Sequence, residues 1–231
     1  MFRGLQMLIF AVAVIAIVSI AAFLYLTREI AAPSVDIASS VQTIAPSSSD
    51  QEVIFNITPE ETTAEYSIYE SLNGADKTVI GTTNQVTGEI MLNLNDVAQS
   101  RISELCVNAR TFATDSDHRD NAVARLILQS EDAANECVLF QPNKISGLLG
   151  SVSVGDTLTF QVTGDLTIAG VTQSMTFAVT ATLQTAEELT GHAETVISRA
   201  DFNLQIPEVV GGTTVGDAIT LKLDFVAMVN Q

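Results

Sequence analysis

The run Thr114-Asp-Ser-Asp-His-Arg-Asp120 crowds Asp115, Asp117, His118, Arg119 and Asp120 into a few residues, a density that invites a metal or acid–base reading. Counted from Asp115, a calcium loop of the EF-hand kind needs an oxygen ligand at the fifth position and glycine at the sixth, and this chain has Arg119 and Asp120 there. Asp115 or Asp117 fits better as a helix cap, its carboxylate accepting from unpaired amides at a helix start. Arg119 and Asp120 then stand as a structural pair or as polar contacts at the mouth of a binding site. A second charged pair, Arg199 and Asp201, falls two residues apart at a strand or its end, so both can share a face. Arg199 there either neutralises Asp201 or meets a pyrophosphate head, and the ion pair is the simpler expectation. His118 and His192 are the only histidines. No His-Glu-x-x-His, Gly-x-Ser-x-Gly, Cys-x-x-Cys or phosphate-loop pattern occurs. The expectation is a non-enzyme with no catalytic residues, no metal and no cofactor.

These residues are set among segments of strand periodicity. In Gly164–Phe177, "GDLTIAGVTQSMTF", apolar and polar residues alternate, break at Ala169-Gly170 and alternate again, as in a hairpin. Similar segments recur: "AEYSIYE" puts Ala64, Tyr66, Ile68 and Glu70 on one side, and "ISELCVNARTF" puts Leu105, Val107 and Ala109 together. One segment departs from this period. Arg119–Leu128 fits a short helix, with Ala122, Leu126 and either Val123 or Ile127 inward. A mostly antiparallel set of strands with one short helix predicts a sandwich or a closed barrel, and closure removes exposed edges. A small barrel is either filled by side chains or holds one small ligand. The apolar residues Leu166, Ile168, Val171, Phe177, Phe140 and Phe160 are the candidates for either role.

The chain has 10 basic against 27 acidic side chains, a formal net charge of −17, which excludes a phosphate-binding footprint and hence nucleic acid as a partner. From Leu5 to Leu26 it carries no charge. At about 1.5 Å per residue this run spans a hydrocarbon core of roughly 30 Å. It exceeds the apolar region of a signal peptide, and the best cleavage position, after Ala32, has Ile30 three back and Pro33 beyond. The reading is an uncleaved anchor over residues 1–29, contacting the membrane through residues 5–26. A Ser/Ala/Pro-rich linker over 30–51 and a folded domain over 52–231 follow. The acidic domain and its cysteines place the C-terminal part outside the cytoplasm, periplasmic or extracellular, in a single-pass arrangement at the cell membrane. The sequence sets no oligomeric state.

The succession "TVIGTTNQVTGEI", "TDSDHRDNAVARLIL", "CVLFQP", "GDLTIAGVTQSMTF", "ISRADFNLQIP" and "ITLKLDFVA" resembles the YceI-like domain, in order and across nearly all of 52–231. The resemblance implies a lipocalin-like antiparallel barrel whose elongated cavity takes a polyisoprenoid or similar long-chain amphiphile, in an exported protein. Many relatives carry Tyr-Pro where this chain has Asn135-Glu136. The function expected is a membrane-anchored carrier or store for such a hydrophobic molecule, with the apolar candidates along its tail and Arg119, Asp120, Arg199 and Asp201 at a polar mouth. The alternative is an interaction domain with a filled barrel. Cys106 lies off the Leu105/Val107 face and Cys137 off the Val138/Phe140 face, so both thiols point outward if those faces look inward. On neighbouring antiparallel strands they can bridge; otherwise they are two unpaired thiols.

Overall fold

The computed structural model describes residues 51–72, 74–206 and 213–229, with short stretches at 18–21, 23–24, 37 and 41–45. Most of the predicted anchor and linker therefore lies outside the described residues. Residues 18–21 and 23–24 are helical, and among the described residues no helix is long and apolar enough to cross a membrane. Within the linker, the Ile44 amide donates to Glu89 Oε2 at 2.6 Å, which ties it to the domain.

Twelve strands form one antiparallel sheet: β1 (Glu52–Ile57), β2 (Thr63–Leu72), β3 (Ala75–Thr83), β4 (Val86–Thr87), β5 (Glu89–Asn93), β6 (Arg101–Ile102), β7 (Leu105–Asn108), β8 (Cys137–Ser146), β9 (Thr157–Ile168), β10 (Val171–Leu183), β11 (Glu188–Ser198) and β12 (Thr213–Val229). The order runs β4-β7-β8-β9-β10-β11-β12-β1-β5-β6, and β12 also pairs with β2, which pairs with β3. The sheet curls into a half-barrel. β4 and β5 flank Gly88 and pair with β7 and β1, which joins the two flanks at one end. At the other end β3 pairs only with β2, so the fully laddered closed barrel expected from the strand count is not formed. A helical cover stands where the ladder would continue. It meets β3 through the Thr82–Ala113 bridge and the Lys77–Asp115 ion pair.

Alternation explains the hairpin. In β9 Val162, Leu166 and Ile168 are buried while the threonines between them face outward. Thr163–Thr176 and Thr167–Thr172 hydroxyl pairs, each at 2.8 Å, hold the outer face of β9 and β10 together. Three inward aromatic rings lie over glycines of a neighbouring strand: Tyr66 over Gly81, Phe140 over Gly164 and Phe225 over Gly191. A Cβ at any of these glycines would overlap the ring. The rings are thereby laid against the wall instead of across the interior.

The cover is built between β7 and β8. It holds α1 (Asp117–Ala122), which widens into a π-helical turn over Val123–Ile127, marked by the Leu128 amide donating to the Val123 carbonyl at 2.8 Å. The wider turn corrects the predicted inner stripe. Val123 and Ile127 both face the interior with Ala122, Leu126 is exposed, and Arg125 is buried beside Glu131 at 3.2 Å. The predicted caps also differ: Ser116 takes the N-cap position without a side-chain bond, and Asp115 is drawn away by Lys77 and Arg119. Glu136 is buried and paired with Arg110 at 3.0 Å.

Cys106 and Cys137 are joined in a disulfide, with Cα atoms 5.3 Å apart. The pair is diagonal in the β7–β8 ladder, since Cys106 stands opposite Leu139 and Cys137 opposite Asn108. Both side chains leave the Leu105/Val107 face, but Cys106 is fully buried and not outward in the sense of solvent.

Two outcomes follow from these features. The bridge closes a loop with a sequence separation of 31; replacing both cysteines by serine lowers unfolding free energy by about 3–4 kcal/mol in the chain-entropy estimate. Denaturant titration measures this, and denaturing, non-reducing alkylation adds no adduct to the unaltered chain. At the hairpin tip Ala169 (φ 48°) and Gly170 (φ 77°) form a turn with both φ positive. An L-residue other than Asn or Asp is disfavoured there, so Ala169→Asn raises stability by about 0.5–1 kcal/mol.

Candidate functional site

The curled sheet encloses two apolar chambers set end to end. The first, about 150 Å³, is lined by Phe140, Phe160, Val162, Leu166 and Phe177 among others. The second, about 360 Å³, lies under the cover and is lined by Ile68, Val123, Ile127, Ile168 and Leu204 among others. Phe112, Val138 and Leu221 border both, so they form a shared waist. Phe140 and Phe177 pack edge to face with centroids 4.9 Å apart, and Tyr66 and Phe112 do the same at 5.2 Å. Such geometry fixes the rings and keeps the lumen's outline constant.

Most of the apolar candidates reach this space. Leu166, Phe140, Phe160 and Phe177 line the first chamber and Ile168 the second. Val171 does not. It is partly buried and packs against the core cluster that includes Ile168, its partner across the β9–β10 ladder, but lines neither chamber.

The four polar candidates divide. Arg119 and Arg199 line the second chamber, together with Glu70, His118 and Tyr66. Arg119 is matched by Glu70 at 3.5 Å and by Asp115. Asp120 does not pair with Arg119; it accepts from the Thr114 amide at 2.8 Å and from Thr114 Oγ1 at 2.6 Å, which closes the loop before α1. Asp201 is exposed and makes no described ion pair with Arg199. Arg199 precedes a 3-10 turn, Ala200–Phe202, that carries Asp201 out of strand geometry and off the shared face. Arg199 Nη1 donates instead to the Leu204 carbonyl at 3.1 Å. Nearby, Ser198 Oγ and the Ala200 amide bond Asp217 and hold its carboxyl below the usual range, with Arg199 adding a smaller effect.

Two polar atoms in this region are buried without a hydrogen-bonding partner among the described residues: Tyr66 Oη and Arg199 Nε. Burial pushes the Tyr66 phenol up to about 12, with the Asp120 charge adding to the rise and Arg119 opposing it. The sequence places Tyr66 on the inner face of its strand, but gives no sign that its hydroxyl lacks a partner. Among the described residues no group of three His, Cys, Asp or Glu side chains is placed to hold a metal ion.

Comparison with known proteins adds the following. The family model for the YceI-like domain matches residues 55–227. BcnA from Burkholderia cenocepacia is similar in structure at 18% identity, with a TM-score of 0.59 over 74% of this chain and 99% of that one. A polyisoprenoid binding domain from Saccharophagus degradans, implicated in plant cell wall breakdown, is similar at 10% identity, with a TM-score of 0.56 over 77% of this chain and 99% of that one. At these identities the likeness is one of fold. No curated protein matches the chain.

The Tyr66 environment has a measurable consequence. An ultraviolet titration shows a phenolate that forms only near pH 12, and Tyr66→Phe removes that step. Because the folded state keeps its proton above the ordinary tyrosine value of about 10, the unfolded chain releases it first, and stability falls as pH rises from about 10 to 12.

Proposed function

The chain belongs to the YceI-like family, and we propose that it holds a polyisoprenoid or similar long-chain amphiphile in its two chambers, as a carrier or store without catalysis. The observation that supports this most is the pair of apolar chambers meeting at Phe112, Val138 and Leu221. A long chain placed along them gains about 0.8 kcal/mol per buried CH₂. Affinity along the tail then needs only a matching bore, and selectivity falls to the few polar groups at one end. The polyisoprenoid-binding relative from Saccharophagus degradans supports the choice of ligand. A filled interaction domain is disfavoured by the hollow itself, since a core without a ligand role packs to crystal density.

In this reading the apolar run over residues 5–26 anchors the protein and the domain works outside the cytoplasm. The Cys106–Cys137 bridge supports that placement, because disulfides persist in oxidising compartments.

Native mass spectrometry of the gently purified protein, followed by organic extraction, shows a hydrophobic molecule bound at one per chain. Ala193 is a small, buried residue on the wall of the first chamber. Ala193→Phe fills that space and abolishes co-purification while circular dichroism stays β-rich. A folded Ala193→Phe variant with unchanged lipid occupancy overturns the proposal.

A further inference from the structure

We infer that the second chamber takes the ligand's head group, and that this head is an anion, a carboxylate or a phosphate monoester, received by Arg199 Nε and Tyr66 Oη. The inference rests on the reading of the chambers as a lipid site and adds the chemistry of the head.

The pairing of cations around the chamber points to it. Arg110 is matched by Glu136 at 3.0 Å, Arg125 by Glu131 at 3.2 Å, and Arg119 by Glu70 at 3.5 Å together with Asp115. Arg199 lines the same chamber as Arg119, yet it makes no ion pair among the described residues: Asp217 feels its charge only weakly and is engaged by Ser198 and the Ala200 amide. Its Nη1 is occupied by the Leu204 carbonyl, while its Nε is buried and has no partner among the described residues. A guanidinium beside apolar walls carries a desolvation cost that only a negative partner offsets fully.

Tyr66 adds direction. It lines the chamber from β2; its hydroxyl is buried, also without a described partner, and burial keeps it protonated. Guanidinium Nε–H and phenol O–H are both donors here, so the complement is an acceptor. A hydroxyl or ketone head satisfies the hydrogen bonds but leaves the charge of Arg199 without a direct partner. An anionic head answers both. Glu70 and His118 also face this chamber, and Glu70 is engaged by Arg119, which removes it as a partner for Arg199. Charge-assisted bonds of this kind are roughly twice as strong as neutral ones. The chain's formal net charge of −17 gives a free small anion no reason to approach, so recognition requires the apolar tail as well.

The test uses the full chain, delipidated, with three probes of one tail: farnesol, farnesoic acid and farnesyl monophosphate. At neutral pH the two anions bind about tenfold or more tighter than the alcohol, and whichever anion binds tighter identifies the head. Tyr66→Phe removes no described hydrogen bond, so it folds normally, and it reduces affinity for the anions by about tenfold while leaving farnesol binding intact. Arg199→Gln retains a donor for Leu204 and erases the preference for anions. Equal affinity for all three probes, or an unchanged preference in both variants, overturns the anionic head and leaves the lipid site standing. Failure of all three to bind overturns both readings.

Discussion

The architecture depends on where its aromatic rings go. Tyr66, Phe140 and Phe225 belong to the residues that line the two chambers. Each lies over a glycine on the adjacent strand, where the missing Cβ leaves room for the ring. The contact buries the ring face against backbone, so the hydrophobic gain is collected along the wall. The middle stays open. With a Cβ at Gly191, the Phe225 ring is pushed toward the first chamber, which it lines. The two chambers are thus the product of side chains that find their packing partners sideways.

The cover answers a different problem. A sheet that curls without completing its ladder leaves one flank to be closed by something else, and the stretch between β7 and β8 does this, turning Phe112, Val123, Ile127 and Leu128 to the interior. Buried charge pairs and a covalent tie add to that packing. Arg110 bonds the Ser130 carbonyl at 2.6 Å and pairs with Glu136, while Arg125 pairs with Glu131. Removing one partner of such a buried pair strands the other, which makes these contacts demanding about geometry. The disulfide joins the two feet of the cover. The segment is fixed at its base and meets β2 and β3 through polar contacts at Glu70, Lys77 and Thr82 and through the Phe112 ring against Tyr66.

The strands were legible because the period of two leaves a plain trace in residues such as Val162, Leu166 and Ile168, and the same parity correctly put both cysteines off the cavity face. Parity does not report the end of a strand. Val171 alternates correctly yet lines neither chamber, while its partner Ile168 does. Arg199 and Asp201 look like face-sharing neighbours, and a 3-10 turn separates them. The cover was the least legible part. An α-helical period put Leu126 inside, whereas the π-helical turn brings in Val123, Ile127 and Arg125, and the bonds that accompany it, Arg125 to Glu131 and Ser130 to Ala124, leave no periodic trace. The glycine–ring contacts were hidden for a similar reason. Gly81 and Tyr66, or Gly191 and Phe225, become a pair only once the register between their strands is known. Arg199 and Tyr66 were visible as residue types; their lack of protein partners is a property of the assembled site.

A hollow interior also shapes the energetics of the whole domain. Atoms lining an unfilled space forgo the dispersion contacts that a packed core supplies, so the folded chain stands below the stability its burial alone suggests. Any molecule that occupies the space and has no affinity for the unfolded chain raises the unfolding free energy by RT ln(1 + [L]/Kd). Occupancy and fold are therefore linked: the temperature at which this half-barrel melts is a gauge of how much cargo it holds.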